Sequence, residues 1–494
     1  MDYPCQSDLL GGEGPWYVRP SRRRRLAVIM ATIGGVLVGM SAQPAGSAHA
    51  DPAPAVDTVV EPVAPADPFY DLPAGLAAAV PGQILRSRSV TLKALQLLPL
   101  DVQAWQLLYR TTAADGRPYA AVTTVLIPRG PATPRPLLSY QMATDSTLRI
   151  CNPSYGLVNG FPVDPTDNSG PLTFAVPAAE ILLAASGLEK GWAVAIPDHG
   201  GVDNRFLTPR QPGYAVLDGI RAAQVFEPAG LAGPRTPVGL WGYSGGAIAS
   251  SWAVEMQPTY APELDIRGAA FGAPERDLKA AVTAVNGTPL AGLIPLALAA
   301  VLKDEPHLLP AIREFVDSSG MDRIEQTRAH CVGQNVLSNP WFDQHQYVNT
   351  PLEIAFEDPR LKPSLDSRGV SGLIPTAPLY VYNGTTEEVA PISGTDRLVD
   401  SYCAGGTPVV YRREELPPRP LSQVMTTHGT VVITGAPNAF AWLTTRLAPA
   451  AEQPSGCDIQ TVSTTMVTPQ ALAAFGPMIA SALMALTGQA IGAN

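Results

Sequence analysis

Charged residues are scarce in this chain: Asp, Glu, Lys and Arg make up 15% of its 494 residues. The net charge is −10, and Lys and Arg form no cluster after residue 25. That excludes the basic footprint a nucleic-acid partner requires. The six histidines and five cysteines include no Cys-x-x-Cys pair and no Cys/His cluster. Neither a metal site nor a cofactor is therefore expected, and His330 beside Cys331 reads as incidental. Internal repeats and runs of like charge are missing after residue 50. No apolar run makes a convincing membrane span: Leu26 to Met40 is too short, and Ala471 to Leu486 is broken by Gly476-Pro477.

Proline, by contrast, is abundant at 51 residues, and 46% of the chain is hydrophobic. Low charge with high proline suits an extracellular protein with long loops. The length allows one large domain with insertions or two to three domains. Arg22 to Arg25, the apolar run after them and Ala48-His49-Ala50 read as a secretory signal peptide cleaved after Ala50, within a leader of residues 1–50. The mature protein is expected outside the cell or on its envelope, with residues 51–66 as a Pro/Ala-rich start. Cys5 lies in the leader. Cys151, Cys331, Cys403 and Cys457 remain, an even set as a disulfide protein would carry, and spacing leaves all three pairings open.

After residue 67 the chain alternates between two patterns. Trp105 to Arg110 and Tyr119 to Pro128 are β-type runs joined at the Asp115-Gly116 turn, and this hairpin is expected at the antiparallel edge of a sheet. Leu137–Gln141, Ala193–Pro197, Val238 to Trp241, Gly268 to Phe271, Pro378 to Tyr382 and Pro408 to Tyr411 read as buried strands. Helical stretches at Pro177 to Ser186, Leu217 to Phe226 and Asn438 to Leu447 fall between or after them. Strands alternating with helices predict an α/β fold, a mostly parallel sheet with helices on both faces. Residues 67–274 and 377–460 form its two parts. Residues 275–376 are too many for a plain connection and read as a helical cap, with an apolar helix at Leu293 to Leu302 and an amphipathic one at Leu308 to Val316. Residues 461–494 form an apolar C-terminal segment that must bury against the body, the cap or lipid.

The chain is organised around Gly242-Tyr243-Ser244-Gly245-Gly246, a G-x-S-x-G pattern between an apolar strand and a run of small helix-compatible residues. Such a turn strains the serine backbone, holds its hydroxyl above the sheet and aims new helix N–H groups at whatever it attacks. A serine needs a base, and the base needs an acid, in the chain order serine, acid, histidine. Only His428 lies beyond the strand ending at Tyr382, and it is expected on a loop. Glu387 is preferred as the acid, with Glu388 as a solvated neighbour; Glu388 and Asp396 are the alternatives. Gly245 N–H is one oxyanion donor. The second is expected from the backbone N–H groups of Asp145-Ser146; an acidic side chain beside an oxyanion would repel it, so Asp145 must be protonated or turned away with its carboxylate bonded to local N–H groups.

Taken together, Asp67-Pro68-Phe69-Tyr70, Ser139-Tyr140-Gln141, Cys151-Asn152-Pro153-Ser154-Tyr155, Leu217-Asp218-Gly219-Ile220-Arg221-Ala222, the elbow, Asn383-Gly384-Thr385 and His428 resemble the secretory lipase family. The resemblance runs from Asp67 to about Cys457. It implies an α/β-hydrolase with a helical lid and lipase or esterase activity on lipid or ester substrates, with transient contact to a lipid interface. The nucleophile and base fall on Ser244 and His428, and the oxyanion donors on Asp145 and Gly245. The family's acid is an aspartate, where this chain has Glu387. Disulfides would join Cys151 with Cys331 and Cys403 with Cys457, and the Leu293 to Leu302 run would line an acyl pocket. An acyltransferase, a short-chain esterase and a non-catalytic protein that kept the fold are the competing readings.

Overall fold

The computed structural model describes residues 67–95, 98–130, 134–159, 176–417 and 426–492. The leader and the Pro/Ala-rich start lie outside the described residues. Among those described, ten strands form one sheet: β1 Ile84–Val90, β2 Gln103–Thr112, β3 Pro118–Ile127, β4 Leu137–Gln141, β5 Ala193–Pro197, β6 Val238–Tyr243, β7 Ile266–Gly272, β8 Leu379–Gly384, β9 Val409–Glu414 and β10 Cys457–Val462. Their spatial order is β1-β2-β3-β5-β4-β6-β7-β8-β9-β10. The pairs β1/β2, β2/β3 and β3/β5 are antiparallel. Every pair from β5 onward is parallel. This is the α/β-hydrolase fold.

The central strands are apolar on both faces because helices cover both. Along β6, Leu240 points into the core beneath the helices Gln211–Val225 and Gly245–Tyr260, and its neighbour Trp241 into the opposite core. Along β8, Leu379 and Val381 take the first side, Tyr380 and Tyr382 the second. The second core is closed by the helices Val176–Glu189, Thr427–Arg446 and Pro469–Leu486. The last carries 18 residues at a mean hydropathy of 1.4, enough to cross a membrane by length and composition. It starts at an N-cap in which Thr468 accepts from Ala471 N–H at 3.2 Å, and it runs through Pro477 without a break. Ala471, Met478, Ala482 and Ala485 are its buried apolar contacts.

Both outermost strands escape the sequence pattern. The expected edge hairpin is not the edge, because β1 pairs outside it. In β1 Arg86 and Arg88 interrupt the apolar run; Arg88 pairs with Asp67 at 2.7 Å and lies 4.1 Å over the Phe69 ring. At the other edge, β10 has mostly exposed side chains and so lacks an apolar signature. The Cys403–Cys457 disulfide anchors its first residue.

Between β7 and β8 the chain is helical, including Leu278–Val285, Leu293–Asp304, Leu309–Phe315 and Ser318–Thr327. Two devices tie this insertion to the sheet domain. The Cys151–Cys331 disulfide joins it to the loop after β4. The fully buried Arg276 forks onto both Glu255 oxygens at 3.2 Å and donates to Gly369 C=O at 2.7 Å, with its guanidinium over Trp252. Both cysteine pairings agree with those the resemblance implies.

Candidate active site

The turn from β6 into the helix Gly245–Tyr260 places Ser244 at φ 54° and ψ −123°, a conformation L residues rarely adopt. The backbone holds it there: Ser244 N–H donates to Gly272 C=O at 2.9 Å, while Ser244 C=O accepts from Ala247 and Ile248 at 2.8 and 3.0 Å. The glycines of the pattern are sterically required. A Cβ on Gly242 would lie 2.4 Å from Gly246 O, and one on Gly246 would lie 2.0 Å from Gln141 O.

Ser244 Oγ is 2.9 Å from His428 Nε2, and His428 Nδ1 is 2.8 Å from Glu387 Oε1. In the tautomer this arrangement calls for, Nδ1–H donates to the carboxylate and Nε2 faces the hydroxyl. Glu387 is buried, and its Oε1 also accepts from Val389 N–H at 2.9 Å and Ala390 N–H at 3.4 Å. Asp396 is elsewhere, accepting from Tyr411 O–H at 2.9 Å and Arg413 Nε at 3.0 Å.

Two sequence expectations need correction. His428 is not on a loop but in the first turn of the helix Thr427–Arg446, whose N-cap Thr426 accepts from Gly429 N–H at 3.0 Å. The β-branched run Thr430 to Ile433 and Pro437 hide that helix in the sequence. Glu388 is not a solvated neighbour: its two oxygens accept from Thr427 N–H at 2.8 Å and His428 N–H at 3.1 Å. Tyr243 was not expected in the site either; its O–H donates to His428 C=O at 2.8 Å.

Asp145, at φ 23°, turns its carboxyl toward Gly245; a Cβ there would be 1.7 Å from Asp145 Oδ1. That oxygen is buried without a hydrogen-bond partner. The carboxyl is thus not turned away from the elbow, although a hydrogen bond from its own backbone N–H favours the ionised form. Burial pushes the Asp145 carboxyl up to about 6, opposed by the nearby imidazole. Burial works to lower His428, but Glu387, Glu388 and Asp145 outweigh it and its net shift is upward. Glu388 is raised as well, by burial and then by Glu387.

The loop carrying Asp145 is gripped at one peptide unit. His199 Nε2 lies 2.8 Å from Met142 C=O, and Ala143 N–H donates to Glu180 at 2.7 Å. Burial raises Glu180 to about 8. The only sequence signal for Glu180 is a lone acid within the apolar stretch Ala178 to Leu183. Ser146 lies beside this loop, its O–H bonded to His330 C=O at 3.1 Å.

The Leu293 to Leu302 run borders an apolar cavity of about 100 Å³ inside the helical insertion. Leu298, Val301, Ile312, Phe315, Ile324 and Phe356 line it; Ser244, Glu387 and His428 do not. Among the described residues, no group of three or more His, Cys, Asp or Glu is arranged to hold a metal ion.

A family model described as secretory lipase matches residues 167–453. A protein of Mycobacterium tuberculosis named as a probable inactive lipase is 40% identical over 392 residues, 79% of this chain and 84% of its own. Lipase A of Arthroderma benhamiae is 34% identical over 432 residues, 86% and 88% of the two chains. Among solved structures, the closed state of Candida antarctica lipase A superposes with a TM-score of 0.68 at 25% identity, covering 83% of this chain and 94% of that one.

Proposed function

The chain belongs to the secretory lipase family, and we propose that it is a secreted serine carboxylic ester hydrolase acting on lipid esters, a triacylglycerol lipase in the first instance. The observation that carries the reading is the unbroken contact from Ser244 Oγ through the His428 ring to Glu387, at 2.9 and 2.8 Å.

In this mechanism Ser244 Oγ attacks the ester carbonyl carbon while His428 Nε2 takes its proton. Glu387 holds the ring in the required tautomer and stabilises the imidazolium. The carbonyl oxygen becomes an oxyanion, facing Gly245 N–H and Asp145, whose carboxyl is neutral below about 6. A protonated Asp145 donates to it; an ionised one repels it. Collapse breaks the bond to the leaving alcohol, which receives the proton from His428. Water then repeats the sequence on the acyl-enzyme and releases the fatty acid. The apolar cavity offers a place for a long acyl chain, which favours lipids over short esters. Two disulfides suit export to an oxidising compartment.

The name of the Mycobacterium tuberculosis relative gives weight to a second reading, a non-catalytic protein on the same fold. The test is hydrolysis of p-nitrophenyl esters of graded acyl length by wild type and Ser244→Ala. Hydrolysis lost in the variant, with folding kept, supports the enzyme. Equal rates in both proteins reject the mechanism, and no hydrolysis by wild type favours the non-catalytic reading.

A further inference from the structure

His428 has a partner on each of its polar atoms. Its ring nitrogens meet Ser244 and Glu387, its C=O accepts from Tyr243, and its N–H donates to Glu388. The contact with Glu388 has no counterpart in the serine–histidine–acid scheme. Glu387 and Glu388 are consecutive, yet they hold the same residue by different handles, one by the ring and one by the main chain. The first N–H groups of a helix lack intrahelical acceptors, and a carboxylate placed there satisfies them and complements the helix dipole. Glu388 does this for Thr427 and His428 at once. Thr386 adds a side-chain contact to Thr427, at 3.1 Å between the hydroxyls. The loop after β8 is thereby fastened to the first turn of the helix that carries the base.

We propose that Glu388 is a positioning residue of the acid–base pair: it fixes the main chain of His428, sets the gap that the Glu387 side chain spans, and adds negative charge beside the imidazolium formed during turnover. A glutamate reaches one methylene further than an aspartate, so the separation between the loop and the ring must be held at the longer value. The groups facing His428 are Glu387 and Glu388 from the loop after β8, Asp145 from the loop after β4, and Tyr243 and Ser244 from the elbow. Of the three carboxylates, Glu388 is the one bonded to the His428 main chain.

The inference rests on the serine–histidine–glutamate reading, so its test needs a readout independent of turnover. Glu388→Gln and Glu388→Ala are made in the full chain. The pH profile of kcat/KM on a p-nitrophenyl ester is measured together with the NMR titration of the His428 ring. Loss of the Glu388 charge is expected to lower the imidazole pKa by about half a unit to one unit, and the acid limb with it. For Glu388→Gln, kcat is expected to fall about three- to tenfold at unchanged KM, and for Glu388→Ala about ten- to a hundredfold. An unmoved His428 titration, or a lower melting temperature with unchanged kcat and acid limb, overturns the assignment. If the alanine variant does not fold, the nearly isosteric glutamine variant decides. If wild type hydrolyses no ester, the enzymatic reading fails separately, and the ring titration alone decides on Glu388.

Discussion

On the Ser244 side of the site, everything that fixes the residue is main chain: the end of β6, the start of the next helix and the C=O of Gly272 on the adjacent β7. On the His428 side, three contacts come from side chains distant in sequence, those of Glu387, Glu388 and Tyr243. The first half is a strained turn that a short motif encodes by itself. The second half exists only once β6, β8 and the helix Thr427–Arg446 have assembled. Errors in reading the sequence therefore gather on the second half, and substitutions there should have graded effects instead of all-or-none ones.

The largest effect is expected on the serine side. Ser244→Ala should lower kcat by about five to six orders of magnitude, with the melting temperature near wild type, as single-turnover assays and thermal unfolding would register. Next in size is Glu387→Gln, which removes the carboxylate that orients the ring. A loss of about 10³- to 10⁴-fold in kcat is expected, and an effect below about tenfold would move the acid elsewhere. Asp145→Ala should then cost about 10²- to 10³-fold in kcat, as loss of one oxyanion donor.

The same residue sharpens the comparison through pH. His428 must be neutral to act as base, and its pKa is raised. Asp145 must be protonated to donate, a state held below about 6. Rising pH thus frees the base but removes the donor, giving a bell-shaped kcat/KM whose limbs belong to the coupled pair. Asp145→Asn donates at every pH, so the alkaline limb should vanish and leave a single rise with deprotonation of His428; an alkaline limb that persists would clear Asp145 of the role. The smallest effect is expected away from both halves. Leu298→Trp should fill the insertion's cavity and reduce turnover of long-chain esters about tenfold relative to acetate. An unchanged chain-length profile would separate that cavity from the substrate.

The same contrast explains what was legible in the sequence. Strands β4 and β5 were readable to the residue because strands buried on both faces are continuous apolar runs. The edges β1 and β10 were not, since an edge strand can carry arginines or exposed polar residues and still pair. Ser244 and Gly245 follow from a local motif, and His428 from chain order among six histidines. The choice of Glu387 over Glu388 and Asp396 did not follow from composition, because three acids lie within ten residues and only the tertiary fold separates their partners. The start of the helix at Thr427 was hidden by β-branched residues whose weak helix propensity is overridden by packing of Val431 and Phe440 into the core. Glu180 and His199 carry no motif; their role depends on a single peptide unit that only the folded chain presents to them.

Ester hydrolysis by this chain requires Ser244 to be an activated nucleophile in the folded protein. A fluorophosphonate probe applied to the purified native chain, with the modified residue located by mass spectrometry, tests this most directly. Stoichiometric labelling of Ser244, strongly slowed by His428→Ala, is the predicted result. A folded wild-type protein whose Ser244 stays unmodified, or reacts equally fast without the imidazole, would contradict it.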